Sequence, residues 1–464
     1  MNYPSSELVI DPVSIRRHDV SGPRYTSYPT ADRFVEAFGE AECRQWLDKR
    51  NIGGISQPLS VYLHLPFCDT ICYYCACNKV ITRDRSRAAK YIKYLAKELA
   101  LVGGLLGAER RICQMHWGGG TPTYLSPDEM RTTMDALHAE FEFEPGCECS
   151  IEVDPRKIGD GRMAFLASLG FNRVSVGVQD FDPGVQQAVH RVQSEQETLR
   201  VIDEARAHGF RSINVDLIYG LPKQTCDSFS ATLDKVLAIA PDRIALYNYA
   251  HLPGMFKPQR RISEADLPTA ETKLQILTLA IGRLTRAGFV YIGMDHFAKP
   301  DDDLSVAQRQ CRLHRNFQGY STHPDSDMLG FGVSAIGRIG PTYYQNLKGL
   351  DEYYDALDAG RLPAWRGIEL THEDLVRRAV IQALICNFRL SIESIEIAYL
   401  IDFRRHFADE MRDLQRLAEE GLVEIAPDWI LVTPKGRLLV RSVCMVFDKY
   451  LRERQQRAGY SRVI

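Results

Sequence analysis

Four cysteines within ten residues constrain the fold of this chain more than any other feature of its sequence. Cys68, Cys72, Cys75 and Cys77 directly follow an apolar segment, residues 61–67, that is typical of a β-strand. The first three cysteines have the spacing C-x3-C-x2-C, so one loop at the end of a strand can present three thiolates to the same group. The fold must therefore hold this loop at the edge of a sheet.

Two kinds of inorganic group suit such a loop. A full [4Fe–4S] set needs four cysteine thiolates. A loop that offers three leaves one iron open to a small molecule, as reductive cleavage of S-adenosylmethionine (SAM) requires. Structural zinc also accepts C-x2-4-C spacing, but it normally needs a second pair of ligands. Cys147 and Cys149 have the wrong spacing for that pair, and the twelve histidines include no H-x3-5-H pair. The spacing therefore favours a SAM-cleaving cluster over zinc.

Composition excludes several other classes of protein. The net charge of −3 gives no basic excess, so attraction to nucleic acid or to an anionic membrane is not indicated. The first eleven residues lack a signal core, and no apolar run approaches the length of a membrane span. We therefore expect a cytoplasmic protein without disulfides, without nucleic-acid or membrane partners and, since coiled-coil heptads are absent, a monomer.

Short apolar segments alternate with longer amphipathic ones from residue 61 onward, as in βα units around a parallel sheet. This alternation predicts an α/β fold with a partial (β/α)6 TIM-type barrel, whose active residues gather at the carboxyl ends of the strands. The cysteine loop, Gly118–Gly120, Asp154 and Gln179 all lie at such ends. The predicted strands are 61–66, 114–117, 150–153, 173–176, 212–217 and 243–247, and helices are predicted at 88–101, 127–140, 194–208 and 228–238.

The character of the chain changes beyond about residue 360, where two helices (373–388 and 407–420) and a hairpin (422–432) are predicted. This order is winged-helix-like, but helix 407–420 carries five acidic and two basic residues, which phosphate would repel. We therefore interpret this part as a mostly helical lid. The predicted domains are an N-terminal extension that folds onto the barrel (1–55), the barrel (56–300), a glycine-rich connecting region that completes the active site (301–360) and the lid (361–464).

Other motifs at the predicted strand ends suit a ligand with polar groups. Gly118–Gly120 allows a ligand to approach the backbone closely, and it lacks the Gly-Lys-Ser/Thr ending of a P-loop. Glu152, Gln179, Arg191 and Asp216 together suit ribose hydroxyls and a carboxylate, with Arg191 as the carboxylate clamp. The glycine-rich segment 330–337 has two interpretations, a surface pressed against a flat ligand or a loop packed beneath the lid.

These residues resemble the radical SAM superfamily and, within it, the oxygen-independent coproporphyrinogen III oxidase family, over essentially the whole chain. The C-x3-C-x2-C motif specifies only the superfamily, whereas the complete set of motifs is specific to the family. The resemblance implies a radical SAM barrel with the N-terminal and C-terminal parts described above. The matching segments are 25–31, 68–77, 118–123, 214–225, 316–320, 330–337 and 386–390.

The resemblance also implies the cofactors and their ligands. Cys68, Cys72 and Cys75 would bind a [4Fe–4S] cluster, and two SAM molecules would bind beside it, the first of them on the open iron. The first SAM would contact Tyr62, Gly119, Glu152 and Ile336. The second would contact Tyr74, Gly120, Thr121, Gln179, Arg191, Asp216 and Ala250.

The reaction implied by the resemblance is oxidative decarboxylation of two propionate side chains of coproporphyrinogen III to vinyl groups. The product would be protoporphyrinogen IX, an intermediate of heme biosynthesis, and a 5′-deoxyadenosyl radical would take a hydrogen from each propionate. The electron donor and acceptor are not identified by the sequence. Cys77 lies beside the cluster motif, and we hypothesise that it acts near the substrate.

A rival interpretation belongs to another functional class. Relatives with the same cluster loop serve as heme-binding chaperones without oxidase activity. They usually lack the fourth cysteine and the Tyr-Pro-Thr motif near the N-terminus. Cys77 and residues 27–30 therefore favour the oxidase.

Overall fold

The computed structural model describes residues 8–50, 57–107, 109–323 and 326–453, so the predicted boundary between residues 55 and 56 lies outside it. The strands are β1 (Leu59–Leu65), β2 (Phe67–Cys68), β3 (Val80–Ile81), β4 (Arg111–Gly119), β5 (Glu142–Val153), β6 (Arg173–Gln179), β7 (Ser212–Tyr219), β8 (Arg243–Asn248), β9 (Val290–Gly293), β10 (His296–Ala298), β11 (His314–Asn316), β12 (Gly319–Ser321), β13 (Asp327–Phe331), β14 (Ile336–Ile339), β15 (Thr342–Asn346), β16 (Ala364–Glu369), β17 (Arg389–Ser391), β18 (Val423–Ile425) and β19 (Trp429–Val432). The helices are α1 (Pro12–His18), α2 (Glu40–Arg50), α3 (Ser86–Leu105), α4 (Pro127–Glu140), α5 (Arg162–Ser168), α6 (Pro183–Ala188), α7 (Glu195–Ala207), α8 (Cys226–Ile239), α9 (Ala270–Arg286), α10 (Asp303–Arg309), α11 (Leu350–Asp358), α12 (His372–Asn387), α13 (Ile392–Tyr399), α14 (Phe403–His406), α15 (Ala408–Glu419), α16 (Val440–Val446) and α17 (Lys449–Glu453).

The central sheet has the strand order β16-β15-β14-β13-β1-β4-β5-β6-β7-β8-β10-β9. The strands β1, β4, β5, β6, β7 and β8 pair in parallel and are the six that the sequence predicts. The strand order does not close on itself but ends at β16 and β9, which confirms the partial (β/α)6 barrel. The sequence did not predict β13, which pairs in parallel with the other side of β1.

Alternation along the strands separates the core from the interior of the barrel. On β1, Leu59, Val61, Leu63 and Leu65 are at most 1% exposed and belong to the core between the sheet and its helices. Each such side chain stabilises the fold by about 1.5–3 kcal/mol. The intervening Tyr62 and its counterparts on neighbouring strands point to the inner face, because successive side chains alternate across a sheet. We call the space inside this face the bore.

Three barrel helices begin at capping boxes, which define where each βα loop ends. Ser126 caps α4, Ser194 caps α7 and Thr225 caps α8, and in each case the third helical residue bonds back to the cap. Such caps stabilise a helix by about 1 kcal/mol each. The loops at the carboxyl ends of the strands are thereby held at both ends.

The N-terminal extension and the C-terminal part contact each other directly. Tyr25 and Tyr28 are each 1% exposed. The Tyr25 hydroxyl donates to Asp448 (2.9 Å), and the Tyr28 hydroxyl accepts from the main-chain N–H of Lys449 (3.2 Å). Arg24 forms an ion pair with Asp295, just before β10. The extension therefore contacts both the barrel sheet and the C-terminal part. These contacts do not test the predicted domain boundaries, which stay predictions.

The C-terminal part contains the predicted helices and hairpin. Helices α12 and α15 cover the predicted segments, and β18 pairs with β19 in the predicted hairpin. A further strand, β17, pairs with β19 and completes a small three-stranded sheet. Within the described ranges, none of the helices combines the length and apolar character needed to cross a membrane.

Candidate active site

The cysteine loop leaves the carboxyl end of β1 and is held from two sides. On one side, the N–H of Val80 donates to the carbonyl of Pro66 (2.7 Å), and the N–H of Thr82 donates to the carbonyl of Cys68 (3.0 Å). On the other side, the Tyr73 ring stacks on His190 at a centroid distance of 5.0 Å. The segment between α6 and α7 therefore fixes the middle of the loop.

The sulfur of Cys72 lies close to two guanidinium groups. Arg156 Nη2 is 3.7 Å and Arg191 Nη1 is 3.6 Å from its Sγ. Both arginines also bind the Asp154 carboxylate, at 2.6 Å and 3.2 Å. Burial alone would raise the pKa of Asp154, but the two guanidinium charges together have the larger, opposite effect. The pKa of Asp154 is therefore below its usual value. The two guanidinium charges would offset the negative charge of a metal-bound Cys72 thiolate.

The other cysteines of the loop have different surroundings. Cys68 Sγ lies 3.4 Å from the hydroxyl of Thr121, and burial raises the pKa of the Cys68 thiol to about 12. A hydrogen bond from Cys77 lowers the pKa of Cys75 and raises that of Cys77. Lys79 Nζ donates to the carbonyls of Cys75 (3.0 Å) and Cys77 (3.3 Å). All four cysteines are free thiols.

The glycine run packs against the strand that carries the cysteine loop. Gly120 N–H donates to the Leu65 carbonyl and Thr121 N–H donates to the Phe67 carbonyl, both at 2.9 Å. Gly119 has φ +110°, and a Cβ at this position would lie 2.7 Å from the ring of His64. A larger residue at 119 is therefore excluded both by the backbone angle and by the close approach.

The residues predicted to contact the first SAM lie on strands β14, β1, β4 and β5 of the central sheet. Glu152 Oε2 accepts from the N–H of Gly119 (3.3 Å), and its Oε1 lies 3.3 Å from His116 Nε2. The Tyr62 ring stacks on His116 at 5.9 Å. The carbonyl of Ile336 packs against Gly330, which pairs with Tyr62 across the sheet.

Two residues predicted for the second SAM carry buried polar atoms. Gln179 adopts φ +70°, which is costly for a residue other than glycine, and its buried Oε1 has no hydrogen-bond partner within the described residues. Asp216 accepts from Ser175 and from Asn214, both at 2.8 Å. Burial raises the pKa of Asp216 to about 6. These atoms suit a ligand that brings hydroxyl or amino groups.

Most of the predicted residues meet in one cavity of about 170 Å³, which we call the cysteine pocket. Tyr62, Ala250 and Ile336 are not among its lining residues. Ala250 lines an adjacent cavity of about 510 Å³, and Gln259 Nε2 donates to the carbonyls of both Ala250 and Tyr74 at 3.2 Å. The predicted residues that line the cysteine pocket are Cys68, Cys72, Tyr74, Cys75, Cys77, Gly119, Gly120, Thr121, Glu152, Gln179, Arg191 and Asp216.

Sequence reasoning missed Arg156 and Lys79, which also line the cysteine pocket. Arg156 follows Asp154 by two residues at the end of β5, and Lys79 follows Cys77 by two. The signal available in the sequence was closeness to a residue already predicted to matter. Arg156 contacts the carboxylate of Asp154, and Lys79 contacts the carbonyl of Cys77.

The pocket fits an iron–sulfur cluster and SAM. It brings together four free thiols, three of them in the C-x3-C-x2-C motif, and two guanidinium charges that offset negative thiolates. Gln179 and Arg191 add buried polar atoms that have no hydrogen-bond partner within the described residues. Within the ranges that the structure describes, no three His, Cys, Asp or Glu side chains are arranged to hold a single metal ion. Three thiols from one loop match the donor set of a cluster that keeps one iron open.

Comparison with known proteins agrees with this chemistry. The profile of the Radical SAM superfamily matches residues 62–236, and that of the HemN C-terminal domain matches residues 370–439. The oxygen-independent coproporphyrinogen III oxidase of Pseudomonas aeruginosa is 51% identical over 97% of this chain and 98% of its own. The protein of the same name from Escherichia coli is 49% identical, with 97% of each chain covered.

A solved structure extends the likeness to three dimensions. It is described as coproporphyrinogen III oxidase (HemN) from Escherichia coli, a radical SAM enzyme. It has a TM-score of 0.91 and 48% identity to this chain, and the match covers 96% of this chain and 100% of the other. The chain therefore belongs to the oxygen-independent coproporphyrinogen III oxidase family of the radical SAM superfamily.

Proposed function

We propose that this protein is an oxidoreductase of heme biosynthesis that converts coproporphyrinogen III to protoporphyrinogen IX without oxygen. Two propionate side chains each become a vinyl group, with loss of CO2, one proton and two electrons. The observation that carries this proposal is the match to named oxidases over almost the whole chain, combined with a three-thiol pocket at the strand ends.

Cys68, Cys72 and Cys75 would hold the [4Fe–4S] cluster of the family. When bound, the cluster and SAM together supply one-electron chemistry that removes a hydrogen atom from a carbon. Arg156 and Arg191 offset the negative charge of the thiolates, since both lie within 3.7 Å of the Cys72 sulfur. No general base is required of the chain for this step.

The predicted SAM contacts divide into two groups around the cysteine pocket. The first SAM would use Tyr62, Gly119, Glu152 and Ile336. Three of these are connected, because Glu152 bonds to the N–H of Gly119 and lies beside His116, on which the Tyr62 ring stacks. The second SAM would use Tyr74, Gly120, Thr121, Gln179, Arg191, Asp216 and Ala250. Gln179 supports this second assignment, because its buried Oε1 has no partner within the described residues.

The first test is an anaerobic assay of the reconstituted protein with SAM, a reductant, a one-electron acceptor and coproporphyrinogen III. Products are oxidised and followed by porphyrin fluorescence. We expect protoporphyrin from the wild type and from Cys226→Ser, whose thiol lies on α8 outside the cysteine pocket, and none from Cys72→Ser. Cleavage of SAM without vinyl product, together with retained heme, would instead indicate the chaperone function.

The remaining partners of the reaction are inferred from its chemistry. The reaction needs an electron donor and a one-electron acceptor, which the chain does not identify. We infer a cytoplasmic monomer without nucleic-acid or membrane partners. A single mass of about one chain in light scattering after size exclusion would support the monomer, and a mass of two chains would contradict it.

A further inference from the structure

Arg315 carries a positive charge into the interior of the protein. It lies on β11 and is only 4% exposed. Its main-chain N–H donates to Gln382 Oε1 and its carbonyl accepts from Gln382 Nε2, both at 3.1 Å, so α12 fixes its position. Its guanidinium lies over the ring of Tyr320, 4.9 Å from the centroid.

Two of the three guanidinium nitrogens of Arg315 have no hydrogen-bond partner among the described residues. Nε and Nη1 are buried and make no hydrogen bond within the described residues. Other arginines at the bore are paired, because Arg173 lies 3.3 Å from Glu148 and Arg243 lies 2.8 Å from Asp302. A buried charge without a partner is costly, so the Arg315 site suits an anion supplied from outside the chain.

Arg315 lies beside the bore, which is continuous with the cysteine pocket. Tyr320 and His296 line a bore cavity of about 160 Å³, and their rings are 5.3 Å apart. This bore cavity shares the lining residues Glu152, Ser175 and Asp216 with the cysteine pocket. Arg315 is not itself among the lining residues of either cavity, and it contacts the bore through the ring of Tyr320. A ligand held at Arg315 would therefore lie next to Tyr320.

Neighbouring groups make this region attractive to an anion. Burial lowers the pKa of His296 to about 3, and the charges of Arg315, Arg24 and Arg243 add to the effect, so His296 is neutral at physiological pH. Burial also lowers the pKa of Arg441 to about 9, with contributions from Arg24 and Arg315. Arg24 (which is paired with Asp295), Arg315 and Arg441 therefore concentrate positive charge here, and a bound carboxylate would offset it.

We propose that Arg315 binds a propionate carboxylate of the tetrapyrrole substrate and so positions it against the cysteine pocket. This inference rests on the proposed function, whose substrate carries such carboxylates. A planar guanidinium can bind a carboxylate through two parallel hydrogen bonds, whereas lysine offers a point charge. Arg315 would thus be a substrate-binding residue that the chain uses for recognition.

The test measures equilibrium binding of metal-free coproporphyrin III, an air-stable oxidised form of the substrate, by fluorescence quenching. We expect Arg315→Gln to weaken binding by about tenfold to a hundredfold, since a hydrogen bond to a charged group is worth roughly 1.5–3 kcal/mol. Arg315→Lys should recover part of the affinity. In turnover assays, KM for coproporphyrinogen III should rise by a larger factor than kcat falls.

The matched control is Arg162→Gln on α5, because Arg162 is a partly buried arginine that bonds a main-chain carbonyl, and its guanidinium lies over Phe165 rather than over the bore residue Tyr320. Porphyrin affinity that is unchanged in Arg315→Gln would overturn the inference. Equal weakening in Arg315→Gln and Arg162→Gln would also overturn it, since this would indicate general destabilisation. If the wild type and the Arg315 variant bind and convert the substrate equally well, the role of Arg315 fails while the proposed function stands. If the wild type itself does not convert the substrate, the proposed function fails.

Discussion

Two guanidinium groups contact the Cys72 sulfur and share the Asp154 carboxylate, but among the described residues only Arg191 has a further partner on β6. Arg156 is held by the Asp154 carboxylate through several short hydrogen bonds. Arg191 donates through Nη2 to the carbonyl of Gly177 (2.6 Å) on β6. Because Arg191 has this second partner besides Asp154, Arg156 can be removed while Arg191 still pairs with Asp154.

We expect Arg156→Gln to weaken retention of the cluster. The change removes a positive charge next to Cys72, so the thiolate loses a stabilising partner worth about 1.5–3 kcal/mol. Iron and sulfide retained by the protein under chelator challenge should fall by about tenfold or more. Arg200→Gln is the control, since Arg200 pairs with Asp160 on the outside of the barrel. Equal iron retention in the wild type and Arg156→Gln would contradict this expectation.

Cys77→Ser separates cluster binding from substrate chemistry. Cys77 lines the cysteine pocket but lies outside the C-x3-C-x2-C motif. If it acts near the substrate, we expect the variant to retain its iron while product formation falls by about tenfold or more, the size of one positioned proton-transfer or contact effect. Full turnover by Cys77→Ser would remove this residue from the proposed chemistry.

At the scale of elements, the glycine-rich segment 330–337 is anchored to α3 by a buried acid. Glu98 is 2% exposed and accepts from the N–H of Gly332 (2.7 Å), the amide of Asn346 (2.7 Å) and the hydroxyl of Tyr353 (2.6 Å). The hydroxyl of Tyr91, also on α3, donates to the His64 carbonyl and accepts from the N–H of Val333. Helix α3 therefore links this segment to the strand that carries the cysteine loop.

This anchor should make stability depend on pH. Burial raises the pKa of Glu98 to about 7 from an ordinary value of 4.5. The folded state therefore binds a proton that the unfolded state has lost, and stability from this group declines as pH rises from about 4.5 through 7. The free energy of unfolding falls by about 3 kcal/mol over this pH range.

Urea unfolding of the wild type and Glu98→Gln at pH 5 and pH 8 measures this contribution. The wild type should lose more free energy of unfolding between the two pH values, because the amide cannot titrate. Other titrating groups are common to both proteins and cancel in the comparison. The same pH dependence in both proteins would show that Glu98 has no such role.

The sequence predicted the elements whose pattern is local. The parallel strands β1 and β4–β8 were predictable from alternating apolar segments and helices. Strand β13 was not, because its partner β1 lies more than 250 residues earlier and the intervening pattern does not specify that pairing. Arg315 was missed for the same reason, since its burial depends on α12 and β12 rather than on its neighbours in sequence.

At the scale of the whole molecule, the two ends of the chain stabilise each other. A double-mutant cycle of Tyr25→Phe and Asp448→Asn should give a coupling of about 1–3 kcal/mol, because the hydrogen bond between them is buried and involves a carboxyl group. Tyr94→Phe is the control, since its hydroxyl donates to Asp358 at an exposed position and should contribute little. Denaturant unfolding gives the four free energies, and a coupling near zero would contradict the expectation.

The Tyr25–Asp448 contact joins residues that are 423 positions apart in the chain. At the usual rate of synthesis of about 5–20 residues per second, Tyr25 waits roughly 20 to 85 s on the ribosome before Asp448 is made. The cysteine loop and its strand are made early in that interval, whereas the N-terminal segment can form this contact only after Asp448 has left the ribosome. The cysteine loop is therefore present on the growing chain before the N-terminal segment can dock on the C-terminal part.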